Sequence, residues 1–147
     1  MQRKVNSAEE TRAIGRALGE TAQRGDVLWL HGDLGAGKTA LVRGMGAETG
    51  TSEVRSPTFT IVHEYETEPK LIHFDAYRLA DAEELFAIGF EDYLAQDAVV
   101  VLEWAERVPE ALPPERLEIR LVGSGDEPRA LELRAIGKQY ESVVDAL

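Results

Sequence analysis

The sequence contains no cysteine. Disulfide bonds, zinc sites built from thiolates and cysteine nucleophiles are therefore excluded. Long apolar runs are also lacking, because stretches such as Val99–Leu102 are far shorter than the roughly 20 residues of a membrane-spanning helix. The N-terminal residues lack the charged and then apolar order of a signal peptide. We therefore expect a cytoplasmic protein that does not contact a membrane.

Positive charge is scarce in this chain. Its 16 Lys and Arg residues are outnumbered by 27 Asp and Glu residues, which gives a formal net charge of −11. Nucleic-acid-binding domains have the opposite charge balance, so we expect no direct tight binding of RNA or DNA. The acidity itself has two interpretations, a well-solvated surface or a basic partner protein.

The N-terminal part of the chain alternates helical and strand patterns. With 147 residues, of which 44% are hydrophobic, we expect a single domain over residues 1–147. Ser7 and Glu10 have the spacing of a capping box and predict a helix that runs to Gly25. The apolar run from Asp26 to His31 predicts a buried strand. A second helix is predicted from Lys38 to about Thr49.

Strand and turn signals dominate the rest of the chain. Phe59–Tyr65 and Leu71–Phe74 predict two antiparallel strands, and Asp81 begins a helical region towards Leu94 that breaks near Gly89. The run Ala98–Leu102 predicts a buried strand. Two further segments alternate polar and apolar residues and predict a C-terminal β-hairpin with one solvated face, namely Arg116–Val122 and Ala130–Ile136.

A glycine-rich segment lies between the first predicted strand and the second predicted helix. It satisfies the phosphate-binding pattern GxxxxGK[ST] at every specified position, through Gly32, Asp33, Leu34, Gly35, Ala36, Gly37, Lys38 and Thr39. Glycine permits backbone angles that point successive N–H groups at phosphate oxygens. In this pattern Lys38 binds the β- and γ-phosphates, and the Thr39 hydroxyl binds Mg²⁺. The chain is thus predicted to be an α/β protein, a P-loop NTPase-like mixed sheet flanked by helices.

Two acidic residues follow predicted buried strands. Asp75 ends one strand and Glu103 ends another. Because ligands of open α/β sheets bind beyond the carboxyl ends of the strands, both acids are expected near Thr39. Mg²⁺ is held by few protein oxygens and keeps several waters. Either acid can hold the metal while the other orients the attacking water, so Lys38, Asp75 and Glu103 are the catalytic candidates and Thr39, Glu103 and Asp75 the metal candidates.

Three further features have alternative interpretations. Trp104 follows Glu103 and can stack on a nucleotide base or serve as a core residue. A proline-bent segment offers hydroxyls that suit a γ-phosphate-sensing switch loop or an ordinary turn, at Ser56, Thr58 and Thr60. The three histidines have no metal-type spacing, so we assign no chemistry to them.

These motifs occur in an order that closely resembles the bacterial TsaE (YjeE) family, over about residues 7–104. The resemblance implies the ATPase of the machinery that makes threonylcarbamoyladenosine in tRNA, with ATP or ADP and Mg²⁺ bound and with TsaD and TsaB as partners. It also implies that Lys38 and Thr39 belong to the phosphate and metal site. Glu103 then matches the metal-site acid, Asp75 a functionally important aspartate and Trp104 a tryptophan beside the nucleotide.

The sequence leaves other functions of a P-loop protein open. A small-molecule kinase would share the loop but would need an acceptor pocket and a basic lid, and no arginine-rich lid is visible. A GTPase is disfavoured because no Asn-Lys-x-Asp element for guanine occurs. A nucleotide-gated binding module would hydrolyse ATP only incidentally. The preferred interpretation is an ATPase whose turnover is weak without its partners.

Overall fold

Seven strands and their flanking helices make up the described part of the chain. The structure is a computed structural model, and it describes residues 1–32, 37–47, 62–67, 69–76, 79–104, 108–123 and 128–147. The strands are β1 (Gln2–Val5), β2 (Val27–Gly32), β3 (Val62–Tyr65), β4 (Lys70–Asp75), β5 (Ala98–Glu103), β6 (Arg116–Val122) and β7 (Arg129–Ile136). The helices are α1 (Ala8–Thr21), α2 (Lys38–Val42), α3 (Ala82–Ala87), α4 (Phe90–Leu94) and α5 (Lys138–Asp145). Arg43–Ala47 continue from α2 across a kink at Gly46, and a short 3₁₀ turn covers Pro109–Ala111.

The strands form a single mixed sheet in the order β1-β7-β6-β2-β5-β4-β3. Its centre is parallel, because β2 pairs in parallel with both β5 and β6, and β5 pairs in parallel with β4. Both flanks are antiparallel. This is the α/β fold with a mixed sheet that the sequence predicts, and the C-terminal hairpin of β6 and β7 is confirmed. The hairpin is an integral part of the sheet, since β6 is the direct neighbour of β2.

Apolar side chains cover both faces of the sheet. On one face, Leu28 and Leu30 of β2 pack with residues of α1, α2 and α5. On the other face, Phe74 of β4 and Leu102 of β5 pack against α3 and α4, where the Phe90 ring meets the Phe74 ring edge-on at 5.0 Å. Because both faces are buried, the sequences of the central strands are nearly continuous runs of apolar residues.

The capping signals begin helices where the sequence predicts them. Ser7 Oγ accepts a hydrogen bond from Glu10 N–H at 3.1 Å, and Asp81 Oδ1 accepts one from Glu84 N–H at 3.1 Å. In each case the glutamate carboxylate accepts in return from the backbone N–H of the residue before the cap. The predicted break near Gly89 is confirmed, since Gly89 has a φ of 91° and separates α3 from α4.

Two predicted helix ends are wrong. The first helix ends at Thr21 and not at Gly25, because the buried Asp26 carboxylate accepts from Gln23 N–H at 2.8 Å and the chain turns at Gly25, where φ is 91°. The second helix does not run regularly to Thr49, since it is kinked at Gly46, where φ is 139°. Residues 48–50 lie outside the described residues.

Glycines bring α1 into backbone contact with α2 and the turn that follows it. A methyl group at Gly15 would collide with the carbonyl oxygen of Leu41, and one at Gly44 would collide with that of Arg12. Gly19 is similar, since its added methyl would lie 2.5 Å from the carbonyl oxygen of Met45. This contact fixes the position of α2, and with it the position of Lys38, relative to the sheet.

Two elements of the fold are absent from the sequence-based prediction. β1 is a mostly exposed four-residue strand that pairs with β7. α5 docks through Tyr140, which is 1% exposed and whose phenol oxygen accepts from Val27 N–H at 2.9 Å. Burial raises the pKa of this phenol above its usual value.

The predicted pair Phe59–Tyr65 and Leu71–Phe74 is confirmed as antiparallel for β3 and β4, whereas residues 59–61 lie outside the described residues. None of the helices in the described part of the chain is long and apolar enough to span a bilayer.

We expect Gly15→Ala to lower the free energy of unfolding by about 1–3 kcal/mol, because its methyl group would force α1 away from Leu41. In an uncrowded helix the same change would stabilise by up to about 1 kcal/mol. Ala13→Gly, at an exposed site of the same helix, is the matched control. It should lower the free energy of unfolding only by the difference in helix propensity between alanine and glycine, up to about 1 kcal/mol. Urea unfolding measures both variants, and a more stable Gly15→Ala protein would contradict the close contact.

Candidate functional site

Two acidic side chains meet at the carboxyl edge of the parallel strands. In the register of the sheet, Glu103 of β5 is paired with Leu30 of β2 on one side and with Asp75 of β4 on the other. Paired residues of neighbouring strands point to the same face. Leu30 packs in the core beneath α1 and α2, so Glu103 and Asp75 lie on the face that carries the glycine-rich loop. The two acids are therefore neighbours at one edge of the sheet, whereas their predicted proximity to Thr39 stays a prediction.

The two ends of the loop are described, and both require glycine. A methyl group at Gly32, the last residue of β2, would collide with the carbonyl oxygen of Leu121 on β6. Gly37 has a φ of 107° immediately before α2. Both conditions favour glycine over any residue with a side chain. The predicted phosphate ligands between them lie outside the described residues, namely Asp33, Leu34, Gly35 and Ala36.

Lys38 reaches back across the loop. Its side chain is buried, and Nζ donates a hydrogen bond to the carbonyl oxygen of Gly32 at 3.0 Å. The same Nζ lies 4.1 Å from the centroid of the Trp104 ring, which is within cation–π range. Since Trp104 directly follows Glu103, this contact places the lysine ammonium beside the end of β5.

Trp104 has an unusual backbone. Its φ of 61° makes it the single non-glycine residue with a positive φ in the described part of the chain. Such a conformation costs on the order of 1–3 kcal/mol unless surrounding contacts hold it, and it is frequent at functional sites. Here it accompanies packing of the ring on Lys38, at the phosphate end of the predicted site. Stacking of Trp104 on a nucleotide base stays a prediction.

Glu103 is the most buried acid of the predicted site. It is 7% exposed, and its Oε1 lies 3.3 Å from Nε2 of His73 on β4. Sequence reasoning missed His73, because it treated the histidines as unrelated to the site. The sequence did contain a signal for His73. Side chains alternate between the two faces of a strand, so His73 and Asp75, which are two residues apart on β4, lie on the same face. The other two histidines lie near aromatic rings, His31 against Trp29 at 4.4 Å and His63 beside His73 at 6.0 Å.

The oxygen ligands at this edge fit Mg²⁺ bound together with a phosphate chain. Thr39 is exposed in the first turn of α2, and Asp75 and Glu103 supply two carboxylates from neighbouring strands. In the described residues no group of three or more His, Cys, Asp or Glu side chains could hold a metal by itself. Mg²⁺ suits such a sparse set, because it retains waters and takes substrate phosphates as ligands.

The glycine-flanked loop and the buried ammonium of Lys38 likewise fit a polyphosphate. The carbonyl of Gly32 and the ring of Trp104 are neutral partners of Lys38, and an anionic oxygen would attract it more strongly. The predicted switch-loop residues Ser56, Thr58 and Thr60 lie outside the described residues. The described geometry thus places a buried ammonium beside the strand end that carries Glu103 and next to the carboxylate of Asp75 on the neighbouring strand.

Comparisons with known proteins identify relatives over nearly the whole chain. Residues 5–131 match the family model described as threonylcarbamoyl adenosine biosynthesis protein TsaE. The tRNA threonylcarbamoyladenosine biosynthesis protein TsaE of Bacillus subtilis (strain 168) is 42% identical over 141 residues, which cover 95% of this chain and 88% of the relative. The protein of the same name from Haemophilus influenzae is 41% identical over 122 residues, covering 82% of this chain and 77% of the relative.

The fold is similar to that of a solved structure. The crystal structure of Bacillus subtilis YdiB matches with a TM-score of 0.82 and 35% sequence identity, over 99% of this chain and 91% of the other. The match to the family model extends into β7, well beyond residue 104, where the resemblance visible from the motifs ends. The C-terminal hairpin is therefore part of what this chain shares with its relatives.

The contact between Lys38 and Trp104 predicts a spectroscopic response. Binding of a nucleotide phosphate to Lys38 should draw the ammonium from the Trp104 ring and change the tryptophan emission. The chain has 2 tryptophans, and Trp29 stacks on His31 instead. Trp29→Phe should therefore retain the change in emission when ATP is added, and Trp104→Phe should lose it. A full response in Trp104→Phe would show that the ring does not report on the phosphate site.

Proposed function

The chain belongs to the TsaE family, and from this premise we propose that it binds Mg²⁺ and ATP and hydrolyses ATP in the biosynthesis of threonylcarbamoyladenosine in tRNA. The observation that carries the proposal is the position of Lys38. Its buried ammonium bridges the start of the glycine-rich loop and the ring of Trp104, next to the carboxylate that ends β5. A cation held there by neutral partners is suited to a phosphate chain.

In the proposed reaction Lys38 binds the β- and γ-phosphates and offsets negative charge that develops during phosphoryl transfer. Gly32 and Gly37 let the loop between them approach the phosphates closely. Thr39, with Glu103 and Asp75, would hold Mg²⁺, which when bound neutralises charge on the phosphate oxygens. Of the two carboxylates, Glu103 would hold the metal, as the family resemblance implies, and Asp75 would hold it through water or orient the attacking water.

We further propose that the ATPase acts on partner proteins in the cytoplasm and does not bind tRNA tightly by itself. We propose TsaD and TsaB as these partners, as the family resemblance implies. The net charge of −11 supports an indirect role, because a strongly acidic chain repels the phosphates of RNA. A partner that supplies a missing stabilising group can also account for weak turnover in isolation.

We expect Lys38→Ala to abolish ATP hydrolysis, because the phosphates lose their lysine. Glu103→Gln should reduce Mg²⁺-dependent turnover by about 10-fold or more, because a buried carboxylate is lost from the metal site. Phosphate release from ATP without an added acceptor measures both effects and separates hydrolysis from a kinase reaction.

The matched control is Glu118→Gln, which neutralises another largely buried strand glutamate, paired with Arg116 away from the site. Its turnover should equal that of the wild type. Equal Mg²⁺ dependence of Glu103→Gln and the wild type would remove Glu103 from the metal site. Cellular function of Lys38→Ala without turnover would favour a nucleotide-gated binding module.

The proposed partners give a separate test. Adding the TsaD–TsaB pair to the purified chain should raise ATP turnover, and the increase can reach about 10³-fold if a partner completes the site. Turnover of the Lys38→Ala protein with the same pair is the control for contaminating ATPases. Turnover unaffected by the pair would contradict coupling to these partners.

A further inference from the structure

His73 lies beside Glu103 and has no role in the function proposed above. It belongs to β4, next to the strand that Glu103 ends, and its Nε2 lies 3.3 Å from Oε1 of Glu103. The two side chains are 14% and 9% exposed. Nε2 is buried and has no hydrogen-bond partner within the described residues. A buried ring nitrogen therefore faces a buried carboxylate with its hydrogen-bonding capacity unused.

We propose that His73 is a positioning residue for Glu103 and that its Nε2–H fixes the orientation of the carboxylate that holds Mg²⁺. The proposal rests on the function proposed above. At 3.3 Å the two atoms are near hydrogen-bonding distance but are not hydrogen-bonded in the structure, so the proposed bond requires Nε2–H to be aligned with Oε1. A neutral imidazole protonated on Nε2 donates this bond and does not need to change its charge.

The burial of both groups explains why such a partner matters. A buried carboxylate that lacks hydrogen bonds is costly, and in a fixed position it binds a cation better than a mobile one does. With Oε1 directed to His73, the second oxygen, Oε2, remains for the metal. Some residues do not contact the metal but form hydrogen bonds to the side chains that do. Replacing such a residue typically weakens metal affinity by about 10- to 100-fold.

The neighbouring ring of His63 provides a matched comparison. It lies on β3 directly opposite His73 in the register, with the ring centroids 6.0 Å apart and the ring planes at 28° to each other. Both imidazoles therefore contribute to the same row of side chains on one face of the sheet. Of the two, His73 is the one whose nitrogen lies at the carboxylate of Glu103. A role in packing would be shared by both rings, whereas a role in positioning belongs to His73.

The test is a Mg²⁺ titration of nucleotide binding in the full-length chain, without hydrolysis as the readout. A fluorescent non-hydrolysable ATP analogue is the probe, measured in EDTA and at increasing Mg²⁺. His73→Phe should weaken the apparent Mg²⁺ affinity by about 10- to 100-fold and leave the affinity in EDTA unchanged. His73→Gln, which keeps a side-chain N–H donor, should recover part of the loss, and His63→Phe should match the wild type.

A double-mutant cycle separates positioning from general damage to the fold. In a Glu103→Gln background, His73→Phe should weaken Mg²⁺ affinity little further, because it acts through the lost carboxylate. Full Mg²⁺ affinity in His73→Phe would overturn the proposal, as would equal losses in His63→Phe. If His73→Phe does not fold, His73→Gln and the cycle made with it decide the question, since full additivity with Glu103→Gln would also overturn the proposal.

The titration and the phosphate-release assay together distinguish this proposal from the proposed function. Wild-type nucleotide binding that is unaffected by Mg²⁺ would overturn the metal site and the role of His73 together. Mg²⁺-dependent binding without detectable hydrolysis would contradict the ATPase, yet the comparison of His73→Phe with His63→Phe would still decide whether His73 positions Glu103.

Discussion

The parallel register of β2, β5 and β4 is the constraint on which the site depends. It brings Gly32, Glu103 and Asp75 to one edge of the sheet, because parallel strands all end on the same side. A slip of one residue would turn both carboxylates to the opposite face. Apolar packing prevents this slip, since Phe74 and Leu102 precede the two acids and are fully buried beneath α3 and α4. The core on one face thus fixes the chemistry of the other.

Local sequence patterns could predict the features that depend on residues close together in the chain, such as the glycine-rich loop and the acids at the strand ends. The sequence pattern could locate the glycine-rich loop between a strand and a helix, and β2 and α2 flank it in the structure. The pattern is local, because glycine, lysine and threonine at fixed spacing provide the backbone angles and the positive charge that phosphate binding needs. The acids at the strand ends could be predicted for a similar reason, since buried parallel strands end in polar residues at a ligand crevice. The pairing of Asp75 with Glu103 needed the strand order, which the motif alone does not contain. The contact of His73 with Glu103 depends on that same pairing across two strands.

Features set by tertiary contacts were beyond the reach of the sequence patterns. The early end of α1 results from the Asp26 carboxylate, which binds the backbone of Gln23 only because a strand begins beside it. The regular part of the second helix ends at the kink at Gly46, whose φ of 139° only glycine adopts readily. β1 is short and polar, and it is a strand because β7 offers it an unpaired edge. α5 depends similarly on the buried hydrogen bond between Tyr140 and Val27.

The negative net charge of the chain makes the buried ammonium of Lys38 important for any binding of a polyanion. A protein with a net charge of −11 repels a nucleotide triphosphate at long range, yet at physiological salt exposed charges are screened beyond about 8 Å. Affinity for a polyanion must then come from groups in direct contact with it. Lys38 is buried, where screening is weak, and its partners Gly32 and Trp104 carry no negative charge that would neutralise it. The two carboxylates nearby would oppose a bare phosphate, so the proposed nucleotide site requires a divalent cation between them and the phosphate chain.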